Sequence, residues 1–158
     1  MEIVYQHFNT IDSTNTWGKL NCHLFDPNKI TLISADTQTS GRGRFKRKWF
    51  SPSSENIYAT FCFPVDQKRQ DIGNIPQVLS ISTAHVLHTL NLEPKLKWPN
   101  DILLNQKKLG GVLCETVSFE NEMMLILGIG LNVNMSIEEL NEIDRPATSL
   151  KNETGKDF

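Results

Sequence analysis

KLKWPNDILLNQKKLGGVLCETVSFENEMMLILGIGLNVN, residues 95–134, is the stretch whose reading decides the fold. KLKW at 95–98, DILLN at 101–105, KLGGVLCETVSF at 108–119 and EMMLILGIGLNVN at 122–134 are aliphatic runs separated by short polar breaks. The breaks at Gln106–Lys107 and at Asn121 are too short for a crossover, so the last three runs are expected to form an antiparallel meander.

Working outward, residues 76–92 begin at Pro76 and place Leu79, Val86 and Leu90 at helical spacing. IYATFCF at 57–63 alternates with period two, ITLISA at 30–35 reads as a strand, and so do residues 2–8. Asp12 and Ser13 are suited to cap a short helix over 14–21, which Gly18 weakens. The polar segment 37–56 reads as a loop, and Ser136 with Glu139 forms a capping box opening a helix over 136–143. The terminal KNETGKDF offers no closing apolar element. There are no repeats and no linker, so residues 1–158 are read as one domain of α+β class. It should have a mixed, mostly antiparallel sheet with two or three packed helices.

Composition narrows the function classes. With 39% hydrophobic and 22% charged residues the chain reads as an ordinary soluble domain. No run is apolar enough to span a bilayer, and the N-terminus lacks the basic and apolar regions of a signal peptide. Cys22, Cys62 and Cys114 form no CxxC pair, which argues against a disulfide framework or a zinc site and makes a cytoplasmic protein the expectation. The net charge of −2 is unevenly spread: no acid lies between Asp36 and Glu55, while Arg42, Arg44, Lys46, Arg47 and Lys48 crowd together. One basic patch on a mildly acidic body suits a small anionic ligand better than a long nucleic acid.

That patch is GRGRFKRKW, 41–49. Gly41 and Gly43 permit close backbone approach and positive φ, Arg42, Arg44 and Arg47 are fork donors for carboxylate or phosphate, and Trp49 can cover an adenine or seal a pocket. A solvated basic loop explains GRGR equally well. The loop has neither the Walker A ending nor GxGxxG spacing. In KWPND, 97–101, Pro99 holds Trp98 extended and directs Asn100 and Asp101, though a surface turn reads the same. KKLGGVLCE at 107–115 and GIGLNVN at 128–134 place glycines within neighbouring strands, either for tight packing or to leave room for a flat ligand. STN at 13–15 offers three polar side chains or a simple helix cap. His7, His23, His85 and His88 show no metal-ligand pattern, and neither GxSxG nor HExxH occurs.

Together and in order, STN, QTSGRGRFKRKW, KWPND, KKLGG and GIGLNVN resemble the biotin–protein ligases, over nearly the whole chain up to ATSL at 147–150. The resemblance implies the biotin–lipoate ligase catalytic fold, similar to class II aminoacyl-tRNA synthetases. It implies an ATP-dependent ligase that converts biotin to biotinyl-5′-AMP and transfers it to a lysine of a biotin carboxyl carrier domain, with Mg²⁺. It places Ser13, Thr14, Asn15, Gln38, Gly110 and Gly128 at the biotin pocket, with Arg42, Gly43, Arg44 and Lys108. Gly41, Arg42, Arg44, Arg47, Trp49, Asn100, Lys108 and Asn132 fall at ATP or adenylate positions. Lys108 and the loop arginines would offset the repulsion between carboxylate and phosphate, and Asp101 would lie near metal and incoming amine. Phe45 departs mildly from the family's loop. Many relatives carry an N-terminal helix-turn-helix domain and a C-terminal helix and small β-barrel. Because the pattern starts near Met1 and the chain stops at Phe158, both are expected to be absent, and with them DNA-binding regulation. A homodimer through sheet edges is in keeping with the family. The rivals are a lipoate–protein ligase or acyl transferase of the same fold, and a non-catalytic module whose basic loop binds RNA or an acidic partner.

Overall fold

The decisive stretch folds as the meander its breaks require. In the computed structural model, which describes residues 2–53, 55–119 and 122–158, β5 (Asp101–Leu104), β6 (Lys107–Phe119) and β7 (Glu122–Leu131) pair antiparallel in succession. The β5–β6 turn is Asn105–Gln106, one residue earlier than expected. Both residues are left-handed, φ 48° and 64°, the geometry whose twist matches flanking strands in a two-residue hairpin and which asparagine tolerates. Lys107 is thereby freed to open β6. The turn expected at Asn121 lies outside the described residues.

Upstream, β1 (Glu2–Ile11), α1 (Thr14–Asn21) and β2 (Lys29–Gln38) form a parallel crossover unit. β3 (Ile57–Val65) pairs antiparallel with β2 and β7, and β4 (Lys95–Lys97) with β5. The sheet order is β1-β2-β3-β7-β6-β5-β4, and only the β1–β2 pairing is parallel. The mixed, mostly antiparallel α+β architecture is thus the one expected. Strands β1 and β2 run further than predicted, because Ile11 still pairs Gln38. Gln38 therefore projects from a strand end, and the loop begins after it.

Gly18 has a structural purpose despite its helix cost. A Cβ there would lie 2.9 Å from Cys62 Sγ and 3.1 Å from Ile33, so glycine lets α1 settle on the sheet. Helix α2 (Ile75–Thr89) covers the opposite face and stops earlier than predicted, since Asn91 turns left-handed at φ 59°. Its buried side holds Ser80, Ala84 and Leu87, whereas Val86 and Leu90 are exposed, contrary to the spacing argument. The predicted capping box at Ser136 opens α3 (Ile137–Asn141). The polar tail also contains a helix the sequence reading missed, α4 (Leu150–Thr154), capped by Ser149 and closed by left-handed Gly155, with Leu150 buried. Leu150 and Lys151 donate backbone N–H bonds to Asn132 and Val133. Asn132 N–H still reaches Leu109 O of β6, but Val133 N–H turns to Asn56 Oδ1, so regular pairing ends before LNVN does.

Cys22 and Cys62 are buried and Cys114 half-buried, all three free thiols. Burial pushes the Cys62 thiol up to about 12. Among the described residues no helix is long and apolar enough to cross a membrane.

Candidate functional site

The site lies where α1 begins, because Ser13, Thr14 and Asn15 are buried there and their side chains are satisfied by Thr16, Gln38, Thr60 and Glu115. Ser13 caps α1, accepting from the Thr16 amide. Thr14 N–H donates to Gln38 Oε1 at 2.9 Å, and its hydroxyl lies 3.2 Å from the same oxygen. Gln38 Nε2 donates to Ser51 Oγ at 3.0 Å. Thr60, fully buried on β3, places its hydroxyl 2.7 Å from Asn15 Oδ1 and 2.8 Å from Thr14 Oγ1. The result is an uncharged hydroxyl and amide floor held in fixed rotamers.

Glycines on β7 make room for it. A Cβ on Gly128 would sit 1.9 Å from Asn15 Oδ1, and one on Gly130 would sit 2.5 Å from the Trp49 ring. Gly110 behaves differently: its Cβ would meet Leu131 and the Gly130 carbonyl. It serves strand packing, and Gly111 rather than Gly110 borders the cavity.

GRGRFKRKW folds as a small hairpin over this floor. Trp49 N–H donates to Gly41 O and Gly43 N–H to Arg47 O, each at 2.8 Å. Gly41 is buried at the base and does not line the cavity; its Cβ would fall 2.4 Å from the Trp49 carbonyl. Gly43 has φ −114°, so the expected positive-φ glycines do not occur here. The left-handed pair is instead Phe45 and Lys46, φ 56° and 60° at the exposed tip. Arg42 folds back onto Thr16 and Glu115, while Arg44 reaches Asn100 Oδ1 at 3.4 Å.

The opposite wall comes from KWPND and β6. Trp98–Pro99 is a cis peptide and Trp98 is exposed. Asn100 is fixed by Nδ2–H donation to Val112 O at 2.6 Å. Lys108 Nζ pairs with Asp101 Oδ1 at 2.5 Å and lies 5.3 Å from the Trp49 ring centre. The Lys108 backbone is bracketed by Pro146 and Thr148, which brings Arg145 and Ala147 to the rim.

These walls enclose about 310 Å³, within the range of small-ligand pockets. Ser13, Thr14, Asn15, Gln38, Arg42, Gly43, Arg44, Arg47, Trp49, Asn100, Asp101, Lys108, Gly128 and Asn132 all border it. Asn132 is buried, its side chain donating to Thr148 O at 3.0 Å. Lys97, Lys48 and Arg145 add cations, and Asp101 is the sole acid on the described lining. That single carboxylate, already paired with Lys108, does not make a resident metal cage, and no described cluster of three His, Cys, Asp or Glu exists elsewhere.

The sequence reading missed Thr60, Thr16, Lys19 and Glu115. Glu115 receives Lys19 Nζ at 2.9 Å, Arg42 Nη2 at 3.1 Å and Asn15 Nδ2 at 3.3 Å. Burial pushes its carboxyl up, but those donors and the two positive charges outweigh burial and hold it below the usual range. A signal for it existed, since Glu115 falls in period two with Gly111 and Leu113 of the cavity wall.

Fold and site define an α+β domain whose sheet carries a pocket with a polar floor and a basic hairpin over it. Residues 7–132 match the model of the biotin/lipoate A/B protein ligase family, and the chain belongs to that family. It is 32% identical over 160 residues to the bifunctional ligase/repressor BirA of Bacillus spizizenii, covering 98% of this chain and 49% of that protein. It is 35% identical over 130 residues to the biotin–[acetyl-CoA-carboxylase] ligase of Mycobacterium tuberculosis, covering 79% and 46%. The chain thus spans about half the length of these curated relatives. The structure of biotin protein ligase from Aquifex aeolicus in complex with biotin and ATP superposes with a TM-score of 0.76 at 36% identity, covering 99% of this chain and 62% of that one.

Proposed function

We propose that this chain is the catalytic domain of an ATP-dependent biotin–protein ligase that forms biotinyl-5′-AMP and passes biotin to a lysine of a biotin carboxyl carrier domain. One observation carries the reading: a single cavity joins the uncharged Thr14–Asn15–Gln38 floor to a mouth of Arg44, Arg47, Lys97 and Lys108. Biotin has the same polarity, a ureido ring with donors and acceptors at one end and a carboxylate at the other. A lipoate dithiolane has nothing to match an amide floor. The likeness to relatives named as biotin ligases, and to a structure holding biotin and ATP, supports the same choice.

In the first step a biotin carboxylate oxygen attacks the α-phosphorus of ATP, and pyrophosphate leaves. Both reactants are anionic, so Lys108 and the loop arginines lower the barrier by balancing charge as it concentrates at phosphorus. Fixing carboxylate and phosphate side by side supplies the proximity contribution. Magnesium enters as the Mg–ATP substrate. The product is a mixed anhydride, and the Gly41–Trp49 hairpin shields it from water. A carrier lysine amine then attacks the acyl carbon, an amide forms, AMP leaves and one proton is released. In this reading Asp101, paired with Lys108, orients that amine and takes the proton.

Pyrophosphate–ATP exchange tests the reading. Exchange should require biotin, and exchange driven by lipoate but not biotin would overturn it. A nucleic-acid module would instead bind RNA with steep salt dependence and ignore biotin with ATP.

A further inference from the structure

We propose that Glu115 is a positioning residue, a carboxylate latch that ties the basic hairpin to the floor of the pocket. The inference rests on the ligase reading for its kinetic consequence but not for its geometry. Glu115 does not border the main cavity, so it acts through other groups. Its Oε1 receives Arg42 of the hairpin at 3.1 Å and Lys19 of α1 at 2.9 Å, while Oε2 receives Asn15 of the floor at 3.3 Å. One side chain from β6 therefore joins the hairpin, α1 and the pocket floor. Arg42 has one further tether, Thr16 Oγ1 at 3.3 Å, also on α1.

Burial is graded along this chain of contacts. Asn15 is 5% exposed, the Glu115 side chain 16%, and the Arg42 side chain 36%. The inner bond, at 3.3 Å, is the better shielded of the two, while the outer ion pair is wet enough to break. That gradient suits a latch, because a fully buried ion pair would hold the hairpin shut and an exposed one would hold nothing. A ring seated on Asn15 is coupled through the two Glu115 oxygens to Arg42, so occupancy of the floor favours closure of the hairpin.

The test compares Glu115→Gln, Thr16→Val and Lys19→Met in the full chain, by hydrogen exchange without ligand and by escape of adenylate with biotin and Mg–ATP. Glu115→Gln keeps the shape but removes the charge that holds Arg42. It should speed exchange of the Gly43 and Trp49 amides, whose bonds close the hairpin, about tenfold and adenylate escape about fivefold, leaving β6–β7 amides within about twofold. Thr16→Val should act in the same direction more weakly, and Lys19→Met, which spares the Arg42 contact, should leave hairpin exchange unchanged. Wild-type hairpin exchange in Glu115→Gln would overturn the latch. So would equal loosening by Lys19→Met, which would reduce Glu115 to local packing. Should Glu115→Gln lose β6–β7 protection, Thr16→Val decides in its place: a loosened hairpin supports the latch and an unchanged one refutes it. If the wild type makes no adenylate, the ligase reading fails, and hairpin exchange alone still decides the latch.

Discussion

Replacing Gly128 by alanine is a small change with a large expected effect, because the new methyl would fall on the atom that anchors the pocket floor. Its Cβ would lie 1.9 Å from Asn15 Oδ1 and 2.8 Å from Asn15 Cγ, so the amide must move by more than an ångström. Asn15 is 5% exposed and held by Thr60 at 2.7 Å, Glu115 at 3.3 Å and Leu113 O at 3.4 Å. Only the first of these is short and buried on both sides. Losing it leaves a buried oxygen unsatisfied, about 1–3 kcal/mol, and overpacking adds about 1–3 kcal/mol if β7 yields instead. The two are alternatives more than a sum, so about 2–3 kcal/mol is expected, or roughly 4–12 °C in Tm for a chain of this size. Biotin affinity, read by calorimetry, should fall at least about tenfold, since the floor is displaced even where the protein stays folded. Gly73→Ala is the control, because nothing lies within 4 Å of its added methyl. A Gly128→Ala protein with wild-type Tm and wild-type biotin affinity would refute the close approach of α1 and β7 on which the pocket depends.

Lys108→Met should lower biotin-dependent pyrophosphate exchange at least about 100-fold while biotin binding changes far less, because in the proposed mechanism the lysine meets charge that develops at phosphorus; an equal loss in both would move its role to ground-state binding. Lys46→Gly should stabilise the hairpin by about 1 kcal/mol, since glycine carries no penalty at φ 60°, and slower exchange at Gly43 and Trp49 would register it. Glu115 and Glu153 make stability acid-sensitive. In Glu153, burial raises the carboxyl, but bonds from Thr148 and Asn105 and the charge of Lys107 outweigh it, so both acids sit below their ordinary value of 4.5. A depressed folded pKa adds stability above the unfolded value that is lost as pH falls through the folded one. Tm should therefore hold from neutrality to about pH 4.5 and decline below it, less steeply in Glu115→Gln; an identical slope in the variant would discount the Glu115 contribution.

The strands of residues 95–134 were legible because alternation and short polar breaks are local properties, and the capping box at Ser136 was legible for the same reason. The five motifs and their order identified the family from the chain alone. Boundaries were decided by partners: β2 runs to Gln38 because Ile11 is beside it, and β7 stops at Leu131 where the Val133 and Asn134 N–H groups turn to Asn56 and the Asn132 and Val133 carbonyls to the start of α4. Helix α4 escaped notice in a polar tail, since Leu150 is its sole buried anchor. The glycines separated only in three dimensions. Gly128 clears Asn15, Gly130 clears Trp49 and Gly110 merely packs strands, although all three read alike in sequence. Glu115 is the sharpest case. Along the chain it is one acid on a strand, and its meaning comes from Arg42, 73 residues away, and Asn15, 100 residues away. Sequence determined which elements form and which chemistry they carry, because propensity and motif are written in neighbouring residues. Tertiary structure alone decided which charges meet, because an ion pair depends on distances that no local pattern encodes.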